Sequence, residues 1–217
     1  TGRFTVRNVK LLSWNYSTDG VGGSGGPGLV EHSFFKVNDD VFTLYWPGRT
    51  LRNLVIWKQM NQAVFQLGYG YPQEVTDVLV ENVEIIRDET ETQTGHRGII
   101  VLCASKGCRF RDVRFEDIKV YGDTLNLLAI DNLDQDTPWS RLSMASRLST
   151  ERGRWWGPFR DRNDRPDQPL RSRLRTTAPG TIRVLFEDVS MNGVRLRSER
   201  DFPNGLETQG DVTLTFR

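Results

Sequence analysis

Short runs of alternating apolar and polar residues recur along most of the chain, at a spacing of roughly 20–30 residues. Shifting the sequence by 21 and then 22 residues aligns the runs 9–14, 30–35 and 52–57. This register places Trp14, Phe35 and Trp57 over one another. Outside residues 134–180 no run has the period of a good amphipathic helix. The pattern therefore predicts a chain of short strands.

Later runs repeat the order apolar, polar, Asn or Asp, Val: Val80–Ile85, Phe110–Phe115 and Phe186–Val189. Repeats of strands and turns without intervening helices are typical of a parallel β-solenoid, whose coils stack about 4.8 Å apart. A leucine-rich repeat would need a fixed Leu–Leu–Asn spacing, and a sandwich would need more hairpin turns. The sequence predicts an all-β protein, a right-handed parallel β-helix, truncated at its N-terminus.

Composition divides the chain into three parts. We expect residues 1–133 to form β-helix coils, residues 134–180 an Arg- and Pro-rich insertion or loop, and residues 181–217 the closing coils. The insertion has ten Arg, no Lys and six acidic residues. We expect it to be a solvated, partly disordered loop, although an Arg-rich face for an anionic partner is the alternative.

The charge balance narrows the range of partners. The chain has 217 residues and a formal net charge of +1, which gives no electrostatic argument for a nucleic-acid partner. It has no apolar run of 18 residues, so no membrane span is expected. We expect a monomer without cofactor or metal.

The same register contains a cluster of carboxylates. It places Asp19 over Asp40, with Asp39 beside Asp40 and Gln62 at the next position of the stack. Crowded carboxylates raise at least one pKa, which keeps a proton available for general acid catalysis. Inverting glycoside hydrolysis needs an acid and a base about 6.5–9.5 Å apart, a separation that neighbouring coils can supply.

Other interpretations of these aspartates remain open. Thr18-Asp19-Gly20 is also an ordinary turn signature, and Asn38-Asp39-Asp40 could be a solvated turn. A Ca²⁺ site would use the same oxygens, although no fourth carboxylate is in register. A solenoid with a binding or structural role would need no catalysis.

Several motifs together resemble glycoside hydrolase family 49, the dextranases and isopullulanases. They are Ser13–Val21, Asn38–Val41, Val55–Lys58 and Val64–Gly68. The resemblance covers about residues 1–133 and 181–217. It implies a right-handed β-helix that follows an N-terminal sandwich, and inverting cleavage of an α-glucan: α-1,6-linked dextran or a related glucan such as pullulan. It also implies a secreted, extracellular protein.

The resemblance further implies that Asp19, Asp39 and Asp40 are catalytic. Asp39 would be the general acid, and Asp19 and Asp40 would activate water. Because its neighbours disfavour a third negative charge, we expect Asp39 to hold the proton at rest. A polygalacturonase acting on pectin is the second candidate. It ranks lower because the Gly-His-Gly and Arg-Ile-Lys segments expected of such an enzyme are absent here.

Residues near the cluster are candidates for binding sugar hydroxyls or rings: Tyr45, Lys58, Asn61, Gln62, Gln66 and Tyr69, with Trp46 and Tyr71 as further platform candidates. The alignment of Trp14 and Trp57 with an apolar Phe favours an internal aromatic ladder over a sugar platform. Cys103 and Cys108 fit either a local disulfide or two free thiols. His32 and His96 have no nucleophile nearby, so neither is assigned a catalytic role.

Overall fold

The computed structural model describes residues 2–23, 25–69, 74–89, 98–103, 109–121, 126–132, 142–144, 148–151, 172–176, 182–191, 193–202 and 205–217. In this part of the chain the regular structure is almost entirely strand, with one short 3₁₀ turn at Glu199–Asp201 and no α-helix. No helix in these ranges is long and apolar enough to cross a membrane.

The strands form two parallel sheets and a small hairpin. The large sheet has the order β1-β3-β5-β7-β9-β11-β14-β18, with β2 paired to β3 and β12 to β9. The small sheet has the order β17-β13-β10-β8-β6-β4. The strands are β1 (Phe4–Arg7), β2 (Lys10–Leu12), β3 (Gly28–Val37), β4 (Phe42–Thr43), β5 (Arg49–Lys58), β6 (Ala63–Tyr69), β7 (Glu74–Asp88), β8 (Gly98–Cys103), β9 (Arg109–Tyr121), β10 (Leu128–Asn132), β11 (Leu142–Met144), β12 (Leu148–Glu151), β13 (Ser172–Thr176), β14 (Ile182–Phe186), β15 (Ser190–Met191), β16 (Val194–Arg195), β17 (Leu206–Gln209) and β18 (Val212–Phe216).

From β3 to β11 successive strands alternate between the two sheets, so the chain winds in coils and the predicted parallel β-helix is confirmed. Each coil of the first half bends sharply inside its large-sheet strand. The residues at this bend, His32, Asn53, Asn82 and Asp117, all have positive φ, which Asn and Asp adopt more readily than most residues. They stack in register, and Asn82 Nδ2 donates to Asn53 Oδ1 at 2.7 Å.

This bend explains the repeated order of apolar, polar, Asn or Asp, and Val. In Val80-Glu81-Asn82-Val83, both valines are buried although they are three residues apart, whereas a regular strand buries every second residue. The left-handed Asn resets the alternation. Phe110–Val113 follows the same rule at a second bend, where Asp112 is in register with Asp77 rather than with Asn82.

The core lies between the sheets and includes a line of phenylalanines. Phe42 stacks on Phe65 with ring centroids 5.9 Å apart, and Phe35 and Phe115 contact the two ends of this pair. All four side chains are buried. Aromatic pairs of this kind contribute about 0.5–1.5 kcal/mol each beyond their burial.

The predicted stack of Trp14, Phe35 and Trp57 is wrong. Phe35 pairs with Leu11 on one side and Ile56 on the other, and Lys36 pairs with Trp57. Trp57 is one residue out of register, because the offset from Phe35 is 21 and not 22. Trp14 is displaced by the length of the first turn. Nine positions separate Leu12 from Val21, whereas six separate their partners Lys36 and Phe42. The turn at 13–20 therefore contains three residues more than the turn below it.

The division into residues 1–133, 134–180 and 181–217 stays a prediction, but three stretches of the middle part are strands of the helix. Leu142–Met144 pairs with β9 and β14, Leu148–Glu151 pairs with β9, and Ser172–Thr176 pairs with β10 and β17. In the last of these, Leu174 is fully buried. The description of residues 134–180 as a loop does not extend to these stretches; the rest of the part lies outside the described residues.

Candidate active site

The three predicted catalytic aspartates meet at the turn between the large and small sheets. Asp19 ends the long turn 13–20, and Asp39 and Asp40 lie in the corresponding turn of the next coil. Gly20 N donates to Asp40 O at 2.9 Å and Val21 N to Val41 O at 2.9 Å, which fixes Asp19 over Asp40. One carboxylate oxygen from each residue lies within 4.8 Å of the others.

Hydrogen bonds hold both oxygens of Asp39. The backbone N–H of Asp40 donates to Oδ1 at 2.9 Å, and Asn61 Nδ2 donates to Oδ2 at 3.2 Å. Asn61 is itself positioned by its backbone N–H, which donates to Asn38 Oδ1 at 3.2 Å. Asn38 in turn donates through Nδ2 to Trp14 O at 3.3 Å. The two asparagines therefore link three successive coils behind the aspartates.

Asn38 is the residue that sequence reasoning missed. It is buried and lies next to the predicted pair, but its role depends on Asn61 being its neighbour one coil on. The signal was the Asn at the head of Asn38-Asp39-Asp40, because a buried amide beside two acids has to find hydrogen-bond partners.

Burial, together with the negative charges of Asp39 and Asp19, raises the pKa of Asp40 to about 7. Two groups oppose this shift: the N–H of Ala63, which donates to Asp40 Oδ1 at 3.1 Å, and the buried ammonium of Lys58. Burial and the charge of Asp39 also raise the pKa of Asp19. The raised pKa makes Asp40 a group that can hold a proton near neutral pH. The expected proton on Asp39 stays a prediction.

The carboxylates of the cluster lie close together. One oxygen of each lies within 4.8 Å of the others, whereas the 6.5–9.5 Å expected of an inverting acid and base is measured between whole carboxyl groups. Stacked coils bring side chains at the same register position to the inter-strand spacing, and two of these aspartates are neighbours in sequence. Such an arrangement concentrates charge without leaving a wide gap.

Three of the predicted sugar-binding residues are buried: Lys58, Asn61 and Gln66. Lys58 Nζ donates to Gln59 O at 2.8 Å, and Gln66 Nε2 donates to Gly68 O at 2.9 Å. Together with the contact of Asn61 to Asp39, these bonds place all three behind the surface rather than on it. Their role in sugar binding stays a prediction.

The other predicted binding residues lie nearer the surface or outside the description. Tyr45, Trp46 and Gln62 are partly exposed. Ala63, not Gln62, follows Asp40 in register, since Val41 N donates to Ala63 O. Tyr69 ends β6, but its side chain is outside the described residues, as is Tyr71.

Trp14 and Trp57 lie on the outer surface, so the predicted internal ladder is wrong. Trp14 is 63% exposed, and Trp57 is partly exposed with Nε1 donating to Glu89 Oε1 at 3.1 Å. His32 occupies an exposed bend. Cys103 ends β8, whereas its side chain, Cys108 and His96 lie outside the described residues, so the state of the thiols stays open.

The three aspartates could also hold a divalent cation. Calcium takes six to eight oxygen ligands, of which this cluster supplies three carboxylates. The prediction of a metal-free site therefore stays a prediction.

The fold and the carboxylate cluster together define a parallel β-helix with an acidic site at a turn between its sheets. No protein-family model matches the chain. The chain is similar to a dextranase of Arthrobacter sp. (strain CB-8), with 36% identity over 89 residues, and to a dextranase of Arthrobacter globiformis, with 34% identity over 89 residues. Each match covers 41% of this chain and 14% of the relative.

An isopullulanase of Aspergillus niger is 28% identical over 71 residues, which is 33% of this chain and 12% of the relative. Among solved structures, Dex49A from Penicillium minioluteum superposes with a TM-score of 0.62 at 13% identity, over 91% of this chain and 35% of that one. These comparisons confirm the fold and the resemblance to glycoside hydrolase family 49. The matched segments span only a small share of the curated relatives.

Proposed function

We propose that this chain carries the active site of an inverting glycoside hydrolase that cleaves α-1,6-linked glucan of the dextran type or a related α-glucan such as pullulan. The observation that supports this most is the convergence of Asp19, Asp39 and Asp40, whose oxygens lie within 4.8 Å of one another. The substrate class follows from the names of the relatives, dextranase and isopullulanase.

The close spacing suits a water held between two carboxylates. A water that donates two hydrogen bonds of about 2.8 Å, one through each O–H, joins acceptors about 4.5 Å apart. Asp19 and Asp40 are close enough to hold the nucleophilic water in this way, and Asp39 remains for the glycosidic oxygen. Inversion follows because water, rather than a carboxylate, attacks the anomeric carbon.

We infer that one proton moves between Asp40 and Asp39, which have carboxylate oxygens within 4.8 Å of each other. At rest it lies on Asp40, while two N–H donors on Asp39 favour the ionised form of that residue. A bound glycosidic oxygen accepts a hydrogen bond at Asp39, and the water donates one to Asp40. Both interactions favour transfer of the proton from Asp40 to Asp39.

Hydrolysis then restores the resting state. Asp39 gives its proton to the departing glycosidic oxygen as the bond from that oxygen to the anomeric carbon breaks. The water oxygen bonds to the anomeric carbon and loses a proton to Asp40. Asp39 is again ionised and Asp40 again protonated, so one proton enters and leaves each group per turnover.

The test is product analysis with the intact protein on dextran, pullulan and polygalacturonate. We expect reducing ends from an α-glucan and, by proton NMR within the first minutes, the β-anomer as the initial product. An α-anomer would overturn inversion. If polygalacturonate alone is cleaved, the substrate is pectin and not an α-glucan. If none of the three is cleaved, the proposal is wrong.

A further inference from the structure

We infer that the surface formed by Trp14, Tyr16, Lys36 and Trp57 is a glucan-binding platform that holds sugar units on one side of the scissile bond. We call it the tryptophan platform. The inference rests on the proposed function, because it assigns to that site a further stretch of the same polysaccharide.

The platform begins in the extended turn. The turn 13–20, which is three residues longer than the turn below it, carries Trp14 and Tyr16, and these are 63% and 53% exposed. Single exposed apolar residues are ordinary, whereas large apolar side chains grouped on one surface mark an interaction site. The turn is ordered by its own hydrogen bonds: Ser13 Oγ donates to Thr18 Oγ1 at 2.9 Å, and Thr18 Oγ1 donates to Asn15 O. The aromatic side chains are therefore presented by a structured loop.

A lysine joins the tryptophans of different coils. Lys36 Nζ lies 4.9 Å from the centroid of Trp14 and 3.7 Å from that of Trp57. Cation–π contacts at exposed sites are worth about 0.5–1 kcal/mol each, so the two rings are held in place before ligand binds. Trp57 is held further by Glu89, and Arg87 lies 5.1 Å from its centroid.

The tryptophan platform is linked to the aspartates by short stretches of backbone and by hydrogen bonds. Lys36 precedes Asp39 by three residues, so their Cα atoms lie at most about 11 Å apart. Trp14 and Asp19 belong to the same turn, and the carbonyl of Trp14 accepts the hydrogen bond from Asn38 that leads through Asn61 to Asp39. A sugar chain seated at the aspartates can therefore extend onto the indoles.

Chemistry favours a neutral sugar chain as the occupant. Pyranose rings present apolar C–H faces that stack on indoles, and their hydroxyls can accept hydrogen bonds from Lys36. Trp14 and Trp57 lie on the two coils that flank the coil of Lys36, and two rings spread over three coils suit a polymer rather than a monosaccharide.

The first test measures binding in an Asp39→Asn background, so that the glucan is not cleaved. By isothermal titration of the intact protein with isomalto-oligosaccharides, we expect Trp14→Ala to weaken binding of long oligomers about three- to tenfold and to leave isomaltose binding unchanged. Trp14→Phe should retain most of the affinity. Leu12→Ala is the matched control, because Leu12 is 52% exposed two residues earlier and is not aromatic. Equal long-chain affinity for Trp14→Ala and the parent would overturn the platform.

A second test does not depend on the folding of a variant. Oxidative labelling of the parent protein, read by peptide mass spectrometry, should modify Trp14 readily and should be suppressed by dextran. Labelling that dextran does not change, or a Trp14 that is protected without dextran because another part of the protein covers it, would overturn the platform. If the parent protein cleaves glucan, either of these negative results refutes the tryptophan platform but not the proposed function. A parent protein without activity on any glucan refutes the proposed function itself.

Discussion

Glu31 and Asp40 are two carboxylates that lie nine residues apart on the same coil of the β-helix. Both lie between neighbouring coils, but their electrostatic surroundings are opposite. Glu31 lies between Arg7 and Arg52, its register partners on either side, and Arg52 Nε contacts Glu31 Oε2 at 2.7 Å. Asp40 has carboxylate oxygens of Asp19 and Asp39 within 4.8 Å, and Lys58 opposes their effect only in part. The fold thus pairs one acid with cations and crowds the other with acids.

The two environments shift the pKa values of the two carboxyl groups in opposite directions. The hydrogen bond from Arg52, aided by Arg7, lowers the pKa of Glu31 despite its burial, whereas burial and like charges raise that of Asp40 to about 7. A paired acid stabilises the folded state, and a crowded acid destabilises it once ionised. The difference separates an acid that holds the coils together from an acid that is kept ready for proton transfer.

The largest effect should come from removing the acid. Asp39→Asn takes away the proton donor to the glycosidic oxygen, a step worth about 10²–10⁴ in rate, so turnover of dextran should fall by that factor. An aryl isomaltoside with a nitrophenolate leaving group should be spared, because its leaving group needs little protonation.

Asp40→Asn is the matched comparison for that experiment. It removes the base rather than the acid and should slow both substrates alike. If Asp40→Asn spares the aryl substrate and Asp39→Asn does not, then the acid is Asp40 and the proposed proton path is wrong. Circular dichroism of both variants checks that the fold is retained.

The Glu31–Asp40 comparison predicts opposite stability changes with pH. Folded Asp40 keeps its proton between about pH 4 and 7 while the unfolded chain loses it, so this group lowers stability as pH rises through that window. The pKa of Asp40 is about three units higher in the folded than in the unfolded chain. At about 1.4 kcal/mol per unit, ionisation of Asp40 lowers the free energy of unfolding by at most about 4 kcal/mol. Asp40→Asn should therefore be more stable than the parent at pH 8 and nearly equal to it at pH 4, as measured by urea unfolding.

Glu31→Gln should behave in the opposite way. The lowered pKa of Glu31 means that its contribution is present above the pKa of the unfolded chain and is lost as pH falls through the folded value. The variant should therefore be less stable than the parent at pH 7, with a difference that shrinks on acidification. A Glu31→Gln variant that is as stable as the parent at pH 7 would remove the contrast between the two acids.

Gly20→Ala should disturb the cluster without changing a charge. A Cβ at Gly20 would overlap the carbonyl oxygen of Val41, which is part of the ladder that fixes Asp19 over Asp40. Displacement of a catalytic group by about 1 Å can cost about 10²-fold, and we expect a loss of that order in kcat on dextran. Gly2→Ala is the control, since nothing lies within 4 Å of its Cβ position. Full activity of Gly20→Ala would mean that Asp19 does not need this register.

Sequence reasoning found the aspartates because the offset of 21 residues holds where they lie, from Val21 to Phe42. It misplaced Trp14 because the offset is 24 at Lys10 and Phe34, only a few residues earlier. It misplaced Trp57 because the offset from Phe35 is 21 and not the predicted 22. A repeat with turns of unequal length has no single register, and the strand pattern does not show where the extra residues are placed. The Asn bends were visible as a motif, but their pairing between coils required the three-dimensional stack.

Proton placement was out of reach for a related reason. Like-charge crowding could be deduced from the register, but which acid is buried most, and which one the N–H donors reach, depends on Asn61 and Ala63 one coil further on. Those residues lie 22 and 23 positions from their acids. The predicted offset of 22 put Gln62, rather than Ala63, next to Asp40.

The smallest of these effects concerns Asn61, whose side-chain amide donates a hydrogen bond to Asp39. Asn61→Ala removes the N–H donor to Asp39 Oδ2 and with it one interaction that favours the ionised form of Asp39 at rest. The resting proton should then divide more evenly between Asp39 and Asp40, and the orientation of Asp39 should loosen. We expect about a tenfold loss in kcat, with little change in KM and an altered pH–rate profile, which a purely structural defect would not produce. Asn15→Ala, in the exposed turn 13–20, is the control. If Asn61→Ala instead raises KM and leaves kcat and the pH–rate profile as in the parent, then Asn61 binds sugar, as the sequence first suggested, and does not position Asp39.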